Sequence, residues 1–509
     1  IVRADAEKTG WIFEVQIGGK FGESDLEAHE RISALPTVCP NCGTDEEGSN
    51  KLSLTDRNRM KSPIRGMRTG FEKVAQVLID GLVRELRRES ELARKVVLFS
   101  DSRQDAAKLA AGLEKRHYQD MIRQLIVEKL DDWNELPFAA ALAFAKGDRS
   151  DQCKAAWKAI EVNDRESFEL LRKVQDDEVN ALQNFDNHLK DRPQGRYVAD
   201  ISSSISRRLL QLGMNPGGTG LAVVKHEMKG KKNQPGVKIG WTQIVDWKTS
   251  PLQPEILPAV LKQKFGDDGE FLQREIQSAL NKEIMSNIFV SGAGDLEELS
   301  LAKANLFINE ELKPGSLTSD QFKEIVRASV RLLGRTRRIP GYFYPSDTPP
   351  AKLRKYWELV EEKMHLDKGS LQLAISHAWG ETVAQHIVQP NGLMLEKVAQ
   401  LVWDCPNCRL RHHDQSGGFC LDCLSALDVD GQVMNVNVED YYSYLAALTS
   451  KGESAFRLHT EELSGQTDDE EAPKRQARFQ RIFLDNEAEL ADEIDLLSVT
   501  TTMEAGVDI

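Results

Sequence analysis

Hydrophobic residues recur along this chain at two spacings, and the alternation between them outlines its elements. Lys95-Val-Val-Leu-Phe99 is a short apolar run with β-branched members, which predicts a buried strand. The polar stretch Ser100-Asp-Ser-Arg-Gln-Asp105 follows, and then an alanine-rich helix expected to run through Glu114. Strand, polar turn and helix form half of a βαβ unit. Ser and Asp in the turn are good helix caps, so free backbone N–H groups gather above the strand. The same design appears twice more. Ala455-Phe-Arg-Leu458 predicts a strand, followed by the polar segment His459 to Thr467 and a helix from about Lys474 to Leu484. Ile494 to Val499 predicts another, opening into Thr500, Thr501 and Thr502 and then Gly506, Val507 and Asp508. Right-handed crossovers would carry all three loops to one edge of a single parallel sheet, where open α/β sheets bind ligands.

Helical spacing dominates elsewhere. Phe71, Val74, Leu78, Leu82 and Leu86 predict an amphipathic helix to about Glu91, its apolar stripe on a core and Arg84, Glu85 and Arg88 facing away. Between about residues 120 and 400 the stretches Asp176 to Leu189, Gln273 to Met285 and Ser319 to Leu333 predict helices. The breakers Asn215-Pro-Gly-Gly218, Asp267-Asp-Gly269 and Gly341 to Pro350 separate them. Trp11, Phe13, Val15 and Ile17 alternate as a half-buried strand does. Five domains follow: 1–62, a preceding region with a CxxC knuckle; 63–125, the first half of the α/β unit; 126–400, a mostly helical insertion; 401–430, a cysteine-rich ribbon; and 431–509, the second half of the α/β unit.

Composition narrows the chemistry. A formal net charge of −14 over 509 residues argues against a wholly basic nucleic-acid binder, although a local positive groove depends only on where Lys and Arg sit. Lys225 to Lys238 is lysine-rich and is read as a solvated loop. No run approaches the roughly 18 apolar residues that span a bilayer. Six of the seven cysteines form CxxC pairs. In a long chain without a secretory signal this favours metal in a reducing, cytoplasmic setting over disulfides. Cys405-Pro-Asn-Cys408 and Cys420-Leu-Asp-Cys423 stand 11 residues apart, a spacing suited to four thiolates on one structural zinc ion. His412 and His413, between the turns, are expected at the surface. Cys39 and Cys42 form half of a second zinc site, and Cys153 is read as a buried small residue.

The motifs together resemble a known family. LFSDSRQDAA, FRLHTEELSGQTD with RQARFQ, and LLSVTTTMEAGVDI, in that order, are similar to motif IV, the following strand and loop, and motif V of the second RecA-like lobe of superfamily 2 helicases. With SPIRGMRTGFEKVAQVL the likeness narrows to large bacterial helicases with a cysteine-rich zinc domain that serve in anti-phage systems of the Druantia kind, and next of the DISARM kind. The resemblance implies an α/β RecA-like sheet split by the helical insertion and the zinc ribbon. It implies that Ser102, Arg103, Ser464, Gly465 and Gln466 lie beside a DNA strand, that Thr500 and Thr501 contact its phosphate, and that Gly506 and Asp508 face ATP. DNA, a complementary first lobe of the same protein and a defence partner subunit are the expected partners, with ATP and Mg2+ as cofactors of the intact protein. The sequence contains no GxxxxGK[ST] phosphate loop, no Walker B carboxylate strand and no arginine finger after motif V. The chain is therefore expected to be an internal piece of a larger protein, without catalytic residues of its own. Arg331-Leu-Leu-Gly-Arg-Thr-Arg-Arg338 looks like a helicase arginine motif but lies at the end of an amphipathic helix, and is read as structural. The competing class is a non-catalytic zinc-containing adaptor that binds nucleic acid or a partner.

Overall fold

The computed structural model describes residues 71–500 apart from 90–94, 101, 193–194, 220–222, 226–237, 248–254, 257–266, 290–294, 343–344, 435–440, 452, 454, 465–466, 469 and 485–486. The expected strand around Trp11, the Cys39 and Cys42 pair, and Gly465, Gln466, Thr501, Gly506 and Asp508 lie outside the described residues.

Helix α1 (Phe71–Glu89) leads to strand β1 (Val96–Ser100) and helix α2 (Arg103–Asn134). The α2 helix passes the expected end at Glu114 because nothing breaks it until Pro137, and its apolar spacing continues through Met121, Ile122, Leu125, Ile126 and Leu130, all buried. The boundary drawn at 125/126 thus falls inside one continuous helix. Leu109 and Leu113 of its first half pack on the sheet, whereas its second half belongs to the core of the helical body.

Helices α3 (Phe138–Ala145), α4 (Asp151–Asn163), α5 (Arg165–Gln175) and α6 (Ala181–Asp191) enclose a small core of their own, around Ile160, Leu171 and Phe185. Asp176 to Leu189 is therefore not one helix. Asp177 and Asn180 take positive φ and turn the chain between α5 and α6. Helices α7 (Val198–Gln211), α8 (Asp267–Phe289), α9 (Ser319–Arg335), α10 (Ala351–Lys363) and α11 (Ser370–Ala378) build the main body. Asp267 to Gly269 open α8 rather than break the chain. A capping box of Thr318 and Gln321 starts α9.

Strands β2 (Leu401–Asp404) and β3 (Arg411–His412) pair antiparallel and carry the late cysteines. Cys405, Leu410, Cys420 and Leu421 share the core of the helical body. After α12 (Tyr441–Ser450) comes β4 (Thr460–Leu463), then α13 (Glu471–Phe479), the single turn α14 (Glu489–Asp492) and β5 (Leu496–Thr500). The strand expected at Ala455 to Leu458 is displaced to Thr460–Leu463. Phe456 and Leu458 instead pack under α1 and α2, which leaves Thr-Glu-Glu-Leu to pair with β5.

The strand order is β1, β5, β4, and both pairings are parallel. Leu496 stands opposite Val96 on one side and Thr460 on the other. Side chains alternate across the pleat: Val96 and Leu496 meet the α1 and α2 layer, whereas Val97, Leu497 and Val499 meet Phe479 of α13. This is a mixed α/β arrangement with helices on both faces, and no helix among the described residues is long and apolar enough to cross a membrane.

The face of α1 differs from the expected one. Ile79 and Val83 are buried, together with Gln76, Asp80 and Arg84, while Val74, Leu78 and Leu82 face outward. Polar partners decide the rotation. Gln76 Nε2 donates to Asp120 at 2.9 Å, and Asp80 receives the Tyr441 hydroxyl at 2.6 Å, Arg84 Nε at 3.3 Å and His117 Nδ1 at 2.6 Å. His117 Nε2 reaches the Phe456 carbonyl at 2.8 Å. Because both ring nitrogens face acceptors, the imidazolium form is favoured. His117 is held above its ordinary pKa by Asp80 despite burial, and Asp80 well below its own by His117 and Arg84.

At the amino end of the sheet, Arg457 forms a two-pronged pair with Asp495, at 2.9 and 3.2 Å. Both side chains are buried. Removing one member of a buried pair strands the other charge and costs about 3–5 kcal/mol. Asp495→Ala is expected to destabilise the chain by that order in urea unfolding monitored by circular dichroism, and a loss below about 1 kcal/mol would contradict the placement of this pair.

Candidate functional site

Parallel register places the ends of β1, β4 and β5 side by side. Ser100 is opposite Thr500, and Leu463 is opposite Val499. Four residues singled out in the sequence, Ser102, Arg103, Ser464 and Thr500, therefore gather at one sheet edge. Ser102 caps α2 in extended backbone conformation, accepting Asp105 N at 3.1 Å and donating its hydroxyl to the Asp105 carboxylate at 2.7 Å. Its role is thus to fix the first turn of a long helix whose positive end points over the edge.

Arg103 is the half-exposed cation at this edge, and its Nε lies 3.4 Å from Glu462 on β4. Ser464 and Thr500 are buried. Ser464 N donates to Thr467 Oγ1 at 2.9 Å, while the Ser464 hydroxyl is buried without a hydrogen-bond partner among the described residues. Ser498 Oγ, in the middle of β5, is in the same state. Such hydroxyls are costly unless something pairs them. Sequence reasoning missed Glu462 and Arg475: Glu462 holds Arg103, and Arg475 donates to the Glu462 carbonyl and pairs with Glu461 at 3.5 Å. The alternation of Glu461 and Glu462 along a strand was the available signal.

A second constellation forms around the late cysteines. The Sγ atoms of Cys405, Cys408, Cys420 and Cys423 all lie within 4.8 Å of one another. Cys405 and Cys423 are 3.5 Å apart, and Cys408 and Cys420 3.4 Å. A tetrahedral ion with metal–sulfur bonds of about 2.3 Å requires sulfur separations of about 3.8 Å, so the four thiols could hold a metal ion. The two CxxC turns repeat one construction. Cys405 N donates to the Leu410 carbonyl and Cys420 N to the Ser425 carbonyl, both at 2.9 Å. Arg409 and Leu424, each just after the second cysteine of its pair, take φ of 62° and 61°. Cys408 N and Asp422 N point at the first sulfur of their own turns, at 3.5 and 3.3 Å. Burial raises the Cys405 thiol, and hydrogen bonding to Cys420 with burial raises Cys408. Cys423, against the effect of burial, is drawn down to about 6 by Ser425.

His412 and His413 are buried, not at the surface as expected. They lie where the β2–β3 hairpin presses on α9, and the reason is Arg331. This buried arginine pairs with Asp295 at 3.2 Å and Glu297 at 2.6 Å and donates to the Arg411 carbonyl at 3.1 Å. Its Nη1 stands 3.4 Å from His412 Nδ1. Arg335 also pairs with Asp295. A Cβ on Gly334, between them, would stand 2.2 Å from the Phe289 ring of α8, so glycine permits the close helix contact. Arg331, with Arg335 beside it on Asp295, thus clamps the cysteine hairpin to the body.

No protein family, curated protein or solved structure matches this chain.

Burial and the Arg331 charge lower His412 to about 2 and His413 to about 4. Unfolded histidine titrates near 6.5, so acid favours the unfolded chain and stability falls as pH drops below that value. Glu297, raised to about 7 by burial, takes up a proton in the folded state and offsets part of this fall. It is common to the chain and to His412→Leu, so their difference isolates the histidine. Between pH 6.5 and 4.5 the parent is expected to lose about 2 kcal/mol more in total than His412→Leu in urea melts. Parallel pH dependences would contradict a neutral buried His412.

Proposed function

We propose that the parallel sheet and its helices are the second RecA-like lobe of an ATP-dependent superfamily 2 helicase or translocase acting on DNA, of the zinc-bearing kind that serves in bacterial anti-phage defence in the cytoplasm. The observation that supports this reading best is the gathering of Ser102, Arg103, Ser464 and Thr500 at one sheet edge, above a capped helix end. Hydroxyls, backbone N–H groups and one arginine suit phosphate contacts and carry no base-reading pattern, which fits backbone tracking. Thr501, Gly465 and Gln466 continue the same loops in sequence, and Gly506 and Asp508 would face ATP and Mg2+ held against a complementary lobe. ATP would close the two lobes and hydrolysis reopen them, so that a different grip on the strand in each state becomes stepping.

Two outcomes test it. The 509-residue chain is expected to bind a labelled single-stranded oligonucleotide at low salt, with Arg103→Glu weakening binding at least tenfold in fluorescence anisotropy; unchanged affinity would overturn the tracking edge. Phosphoryl transfer requires phosphate cradle, magnesium ligands and finger charge together, and the sequence carries none of these motifs. DNA-stimulated ATP turnover by this chain alone would therefore contradict the proposal.

Zinc is the ion we assign to the four thiolates. Soft sulfur donors select it among abundant divalent metals, and four protein ligands leave no open position for substrate. The sharing of core between Cys405, Cys420 and the helical body favours a structural role, and it is also what the adaptor reading would draw on. Asp508→Ala in the protein joined to its complementary lobe separates the two: lost turnover with retained DNA binding fits the motor, unchanged turnover the adaptor. Elemental analysis is expected to find about one zinc per chain from these four cysteines, lost in Cys408→Ser together with thermal stability; a fully folded, metal-free chain would refute the assignment.

A further inference from the structure

A cavity of about 360 Å3 lies at the opposite end of the sheet, where the lobe meets the helical body. Its lobe wall is made by Arg457, His459, Glu461, Arg478 and Asp492, and its body wall by Tyr118, Gly213 and Trp241, with Glu114 of α2 between them. The two walls approach so closely at Gly213 that a Cβ there would fall 2.0 Å from the Leu490 carbonyl oxygen, at a φ of +74°. Clefts at such junctions, part apolar and with a few polar groups, are where small ligands bind.

The charges decide what fits. Each cation of the wall is already engaged. Arg457 is held by Asp495, and Arg478 by Glu487 at 2.7 Å. His459 donates Nδ1 to the Glu493 carbonyl at 2.9 Å and turns Nε2 toward Glu461 at 3.8 Å, while Glu461 also meets Arg475. Among the described residues Glu114 and Asp492 form no ion pair. Glu114 Oε2 accepts only the Thr460 N–H and hydroxyl, at 3.3 and 3.4 Å, and Asp492 Oδ2 only the Ala488 N–H, at 2.7 Å. Burial raises the pKa of Glu114, and the neighbouring His459 charge and the Thr460 hydrogen bonds draw it only part of the way back. The Trp241 indole, set edge-on to Trp247 at 5.8 Å between centroids, supplies an aromatic wall of the kind that attracts cations.

We infer that this cavity is a binding site for a small organic cation of the alkylammonium class, its ammonium groups taken by Glu114 and Asp492 and its methylene chain by Trp241 and Tyr118. The site is distinct from the nucleic-acid edge and does not rest on the helicase reading.

Calorimetric titration of the 509-residue chain with 1,4-diaminobutane, in the absence of nucleic acid, tests it. Saturable one-to-one binding is expected, accompanied by a change in tryptophan fluorescence. Glu114→Gln, which keeps the acceptor for Thr460, should weaken binding at least tenfold while leaving the melting temperature within a few degrees. Asp492→Asn provides the same reading should Glu114→Gln fail to fold. Trp241→Leu should abolish the fluorescence change. Equal binding of 1,4-butanediol, competition by inorganic phosphate, or undiminished affinity in the folded carboxamide variants would each overturn the assignment.

Discussion

Asp495 is the residue on which the sheet depends. Its carbonyl accepts Val96 N at the start of β1, at 3.0 Å, and its N–H donates to the His459 carbonyl just before β4, at 2.9 Å. Its carboxylate takes the Arg457 guanidinium and the His459 N–H, the latter at 2.9 Å. One buried acid thus fixes the starting points of all three strands. In a sheet whose side chains alternate with period two, a slip of one residue would turn every apolar side chain to the wrong face. Register set at one end is carried to the other, where Ser100 and Thr500 finish level and Ser464 follows just beyond β4. The geometry of the proposed tracking edge is inherited from a salt bridge at the far end of the strands.

Helix α2 carries the same constraint outward. At 32 residues it is about 48 Å long, with its capped end over the sheet edge and its far half inside the helical body. The polar layer of Asp80, His117, Gln76 and Asp120 binds α1 to it. A displacement of the lobe must therefore move this beam or bend it. The cysteine hairpin is fastened to the same body through Arg331, Asp295 and Glu297, far along the chain from the sheet yet within one continuous core. The helical body is thus joined to the sheet by a continuous helix.

What the sequence made legible was whatever depends on local pattern. The strands at Val96 and Leu496, the α/β layering and the four clustered cysteines could be read because apolar runs and CxxC spacing are local signals. What escaped it depended on partners distant in the chain. The α1 stripe of Val74, Leu78 and Leu82 predicts the buried face by hydrophobicity alone, but Asp80 is drawn inward by His117 and Tyr441, and Arg84 by Asp80 and by Gln124 Oε1, 3.5 Å from its Nη2, and the helix turns with them. His412 looks like a surface residue until Arg331, some 80 positions earlier, is seen beneath it. The strand near Phe456 slipped to Thr460 because the aromatic ring is claimed by the helices above, leaving a more polar segment to pair with β5. Glu114 and Asp492 carry no local motif at all; only folding brings them to one cavity.

The central claim is that a nucleic-acid strand runs over the ends of β1, β4 and β5. Hydrogen–deuterium exchange of the chain with and without a single-stranded oligonucleotide measures it most directly. The account predicts protection on binding at residues 100–104 and 463–468, with 200–211 and 319–335 unchanged. Protection confined to the cysteine hairpin, 401–428, or to the helical body, with the strand ends unaffected, would contradict it.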